Sequence, residues 1–134
     1  MELHHLVWEE NFSVGFKLID DQHKRLFGIY NRLIDSRKGN ARLDAGDCLA
    51  QLAEYVRTHF VTEEEVLRVY GYDEYEEHKA QHDIFARNLV GLQEDFAQGD
   101  MVLPDSVVAL IKEWLVHHVL GEDQKYKGVL PRLA

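Results

Sequence analysis

The segment EHKAQH at 77–82 sets His78 and His82 four residues apart, so that on a helix both imidazoles face the same way. His59 and Glu63 repeat that spacing, and His23 and His118 add two further imidazoles. All six fall where the helical pattern around them calls for an apolar residue. Burying so many polar groups without partners would cost about 1–3 kcal/mol each, so they need a common partner. A cation suits all of them. Imidazole and carboxylate without thiolate suit iron, zinc, copper or nickel, and Cys48, the single cysteine, falls off the pattern as a small, semi-buried residue. Five histidines exceed the three protein ligands of an open zinc site. The HxxxH pair lacks the glutamate of HExxH. None of the five has a glutamate three residues before it, as the Glu-x-x-His pairs of ferritin-like di-iron sites do. A histidine-rich two-metal site with few carboxylates remains.

Four amphipathic segments must carry these residues. One stripe runs through His23, Phe27, Tyr30 and Ile34, and a second through Leu52, Val56, His59, Glu63, Val66 and Tyr70. A third runs through His78, His82, Phe85, Leu89, Leu92 and Phe96, and a fourth through Val107, Ile111, Trp114 and His118. Steps of three and four residues mark core-facing helices. The breakers KGN at 38–40, Gly71, Gly99 and Pro104 bound helices expected at about 19–37, 44–70, 73–98 and 104–120. An irregular arm, 1–18, precedes them and a short segment, 122–134, follows. Short connections favour antiparallel neighbours, so the fold expected is an all-α, up-down-up-down four-helix bundle. In that topology His23, His59, Glu63, His78, His82 and His118 all gather in one end-half of the bundle, which scattered core histidines would have no reason to do.

The 134 residues fit one domain, 1–134, and a net charge of −9 offers no basic stripe for phosphates or anionic membranes. No apolar run approaches the roughly 20 residues of a membrane span, and MELHHLVWEE lacks the form of a signal peptide. A soluble, cytoplasmic, monomeric protein is expected, with no nucleic-acid or membrane partner.

HFVTEE at 59–64, EHKAQH at 77–82 and HVLGED at 118–123, with DDQHKRL at 20–26, together resemble the bacterial hemerythrins, and the resemblance covers essentially the whole chain. It implies two iron ions joined by an oxo or hydroxo bridge. His78, His82 and His118 would hold one, His23 and His59 the other, with Glu63 and Asp123 bridging both. It implies a six-coordinate iron beside a five-coordinate one that binds dioxygen reversibly, for storage, delivery or scavenging rather than catalysis. Phe60, Trp114, Leu115 and Val119 are the wall residues it implies. An oxygen or redox sensor domain, cut from or acting with a signalling protein, is the alternative.

Asp123 fits the resemblance but not the periodicity. It lies five residues after His118, about 140° around a straight helix, whereas Glu122 lies at the better fourth position. The fourth helix is therefore expected to distort or end near Gly121 and turn Asp123 inward. His4, His5 and His117 are expected at the surface, and the acidic runs at 63–65 and 74–77 on solvated faces, Glu63 excepted.

Overall fold

The structure, a computed structural model, describes residues 4–36, 45–97 and 105–127. The breaker KGN, the helix ends expected at 37, 44, 98 and 104, Gly99, the Phe96 side chain and the segment from 128 onward lie outside these residues. Among the described residues four α-helices form: α1 Lys17–Ser36, α2 Ala45–Val69, α3 Tyr75–Ala97 and α4 Asp105–His117. Side-chain pairs fix their directions. Gln22 meets His59 and Arg32 meets Gln51, so α1 and α2 run antiparallel. Glu64 meets His82 and Phe60 meets Phe85, which reverses α3 against α2. Phe85 on Trp114 and His82 against His118 reverse α4 against α3, and the Tyr30 hydroxyl donating to Val108 O (3.4 Å) closes the bundle from α1 to α4. The four-helix bundle expected from the stripes is the fold found.

α1 starts two residues before its stripe suggests. Its fourth residue, Asp20, folds back to accept from Val14 N (2.8 Å) and Ser13 Oγ (2.6 Å), satisfying donors ahead of the first turn. The arm holds a short 3-10 turn, Glu10–Phe12, and is pinned by Asn31, which accepts from Leu6 N (2.7 Å) and donates to Leu6 O (2.9 Å). α2 stops at Gly71, whose φ of 69° only glycine adopts freely. Tyr72 N bonds Leu67 O (2.9 Å) and Gly71 N bonds Arg68 O (3.2 Å), the paired bonds of a Schellman cap.

Two apolar clusters bracket the end of the bundle where the histidines lie. The larger, with Leu26, Leu33, Leu49, Leu52, Val56, Leu89, Ile111 and Leu115, fills the bundle, and each such side chain stabilises the fold by about 1.5–3 kcal/mol on burial. Cys48 is fully part of it rather than semi-buried. The smaller cluster, Val14, Phe16, Ile19, Leu67, Tyr72 and Tyr126, caps that end with residues from the arm and the chain beyond α4. Between the two clusters lies the polar layer.

Candidate metal centre

His23, His59, Glu63, His78, His82, His118 and Asp123 are all buried, and the structure brings all seven together. Their grouping follows from the two carboxylates. Glu63 Oε1 faces His78 Nε2 (2.5 Å) and His82 Nε2 (3.4 Å), while its Oε2 faces His59 Nε2 (3.0 Å) and His23 Nε2 (3.5 Å). Asp123 divides in the same way. Its Oδ1 faces His78 Nε2 (2.9 Å) and His118 Nε2 (3.1 Å), and its Oδ2 faces His23 Nε2 (3.1 Å). One group thus holds three imidazoles and two oxygens; the other holds two imidazoles and two oxygens.

The local backbone explains how Asp123 arrives there. After His117 the chain widens into a π-helix, His118–Glu122, and Asp123 N bonds His118 O. The i→i+5 bond inserts one residue into the turn, which brings a carboxylate five residues on beneath the His118 ring. A 3-10 turn, Asp123–Tyr126, follows. Glu122, at the position ordinary spacing favours, instead pairs with Lys125 at 3.1 Å near the surface.

Several of these atoms lack a hydrogen-bonding partner: both ring nitrogens of His23, His59 Nε2, Glu63 Oε2 and both Asp123 oxygens. His82 Nε2 and His118 Nε2 also face each other at 2.9 Å. Nitrogen lone pairs and carboxylate oxygens directed at shared points, unpaired and buried, fit a pair of cations. The donor set of imidazole and carboxylate suits iron.

Without a cation the charges must balance through protons. Burial pulls the His23 imidazole down, yet Asp123 and Glu63 outweigh it and hold it at about 9. The same contest leaves His78 at about 10 and His118 at about 9. Burial wins at His59, whose value falls. Glu63 and Asp123 sit well below the usual carboxylate range: burial opposes this, and the surrounding imidazoles override it. Three raised imidazoles stabilise the metal-free fold fully below pH 6.5, the ordinary value, and that contribution is lost as pH rises through about 9–10. The carboxylates contribute above their ordinary values and lose this as pH falls. His59, held neutral, loses stability below pH 6.5. Metal-free protein should therefore lose denaturant resistance steadily between pH 7 and 10 in urea melts, and a flat profile would contradict this electrostatic balance.

Of the four expected wall residues, Phe60 and Trp114 contact site histidines. Phe60, Leu115 and Val119 are buried and Trp114 is half-buried. Phe60 stacks on His82 with ring centroids 3.7 Å apart and also faces His59 at 6.0 Å. Trp114 stacks between Phe85 (3.7 Å) and His118 (4.5 Å).

The sequence pattern missed three residues. Glu64, expected on a solvated face, accepts through Oε2 from His82 Nδ1 at 2.8 Å. Gln22 Oε1 accepts from His59 Nδ1 at 2.7 Å. Each directly adjoins a site residue in sequence, and that adjacency was the available signal. Tyr126 follows Asp123 by three residues and buries its hydroxyl beside Glu63 and Asp123. Burial pushes that hydroxyl well above its ordinary 10, so it keeps its proton. His4 and His5 are exposed, with His5 Nε2 2.7 Å from Asp35, and His117 lies at the surface as expected.

The chain matches the family model for the hemerythrin HHE cation binding domain over residues 14–130. It is 33% identical over 123 residues to a hemerythrin-like protein of Naegleria gruberi, covering 92% of each chain. A bacteriohemerythrin of Pseudomonas aeruginosa is 31% identical over 122 residues, 91% of this chain and 79% of that one. A crystal structure of wild-type hemerythrin superimposes with a TM-score of 0.86 at 31% identity, covering 93% of this chain and 97% of the other.

Proposed function

The chain belongs to the hemerythrin family, and from that premise we propose that it binds dioxygen reversibly at a pair of iron ions joined by an oxo or hydroxo bridge. The observation that carries this is the division of each carboxylate's two oxygens between two histidine groups. His78, His82 and His118, with Glu63 Oε1 and Asp123 Oδ1, supply five donors to one position. His23 and His59, with Glu63 Oε2 and Asp123 Oδ2, supply four to the other. Iron held by these residues would supply reducing electrons for a small ligand, and the position of His23 and His59, with fewer protein donors, would be the one to receive it. Glu63 and Asp123 span both positions and fix their separation.

Reversibility depends on keeping protons and water away. Phe60, Trp114, Leu115 and Val119 form the apolar wall that does so, and the Tyr126 hydroxyl retains its proton. The role is that of a binding protein for storage, delivery or scavenging, acting as a monomer in the cytoplasm. Among the described residues no helix is long and apolar enough to cross a membrane. The test is to mix anaerobic ferrous protein with dioxygen and follow its visible spectrum. A charge-transfer band that persists and disappears on degassing is expected. Rapid, irreversible oxidation would overturn reversible binding and favour an oxygen or redox sensor.

A further inference from the structure

The two histidine groups differ in what stands behind their rings. Glu64 Oε2 lies 2.8 Å from His82 Nδ1, with the Glu64 side chain 15% exposed and His82 fully buried. A carboxylate only accepts, so His82 Nδ1 carries the proton and the Nε2 lone pair must face the centre. Phe60, from the same turn of α2, stacks flat on that ring with the planes 1° apart. One helical segment therefore holds His82 by its face and its edge. Behind His59 stands the neutral amide oxygen of Gln22, at 2.7 Å. His23 Nδ1 is buried with no partner at all.

A negative acceptor behind an imidazole strengthens its other nitrogen as a donor; a neutral amide fixes orientation without adding charge. We infer that Glu64 and Gln22 are positioning residues that make the two metal positions unequal, the His82 position holding ferrous iron more tightly than the His59 position. This rests on the iron centre proposed above. The strongly held metal would remain while the other position exchanges.

Metal-free protein titrated with ferrous iron under nitrogen, against a competing chelator, tests this. The wild-type chain should take up two ions in two distinguishable steps. Glu64→Gln keeps size and an acceptor oxygen but removes the charge, and should weaken the tighter step about 10–100-fold. Gln22→Glu adds the charge behind His59 and should tighten the weaker step, so that the two steps converge. The opposite signs separate donor tuning from structural support, which would make both variants bind more weakly. Equal weakening in both, or no change in Glu64→Gln, would overturn the inference while leaving the iron centre standing. A wild-type chain that takes up fewer than two ions would overturn the centre itself, and the inference with it. Circular dichroism of the metal-free variants checks that each is folded.

Discussion

Glu63→Ala should lose both metals together rather than one. Like Asp123, Glu63 reaches both histidine groups, with Oε1 toward His78 and His82 and Oε2 toward His23 and His59. It is completely buried. Its removal takes one oxygen donor from each position and leaves raised, protonated imidazoles without half of their compensating charge. Breaking a buried ionic network from one side costs about 3–5 kcal/mol. Metal-free Glu63→Ala should therefore melt at markedly lower urea, and iron analysis after reconstitution should find neither ion retained. Glu63→Gln, which keeps the volume, separates the two effects: it should fold better than the alanine variant and still fail to hold the pair. Retention of one full equivalent of iron in Glu63→Gln would argue against a shared carboxylate.

The second large effect concerns neighbouring acids with opposite fates. Asp123→Ala should abolish retention of the pair, because both Asp123 oxygens face ring nitrogens, Oδ1 those of His78 and His118 and Oδ2 that of His23. Glu122→Ala should hold both ions and change stability by no more than about 0.5 kcal/mol, as a half-exposed pair with Lys125 contributes little. On an unbroken α-helix the outcome would reverse. The reconstituted iron content of the two variants decides between the turn geometries, and a Glu122→Ala chain lacking iron while Asp123→Ala keeps it would refute the role given to the π turn.

That turn shows where periodicity stops informing. His23, His59, Glu63, His78, His82 and His118 announce themselves because each breaks an apolar stripe at regular helical spacing. Regular spacing survives folding, so the bundle, its antiparallel order and the gathering of these six at one end all follow. Asp123 breaks the rule because one hydrogen bond shifts from i→i+4 to i→i+5, a change that periodicity does not encode and that is legible only through resemblance. Space alone did not demand glycine there: a Cβ at Gly121 would meet nothing within 4 Å. Gln22 and Glu64 were hidden for another reason. They stand about 100° from His23 and Glu63 on their helices, where the stripe predicts solvent, yet their side chains reach round to rings on neighbouring helices. Glu65, one residue further, does behave as a solvated acid, paired with Arg68 at 2.6 Å. Tyr126 lies beyond the last stripe, where no pattern remained to place it.

Iron and dioxygen should be counted in the same anaerobically reconstituted sample, by elemental analysis and by calibrated oxygen uptake. Two irons and one reversibly bound dioxygen per chain are expected. One zinc, a single iron, or one dioxygen for each iron would contradict the division of Glu63 and Asp123 between two unequal positions.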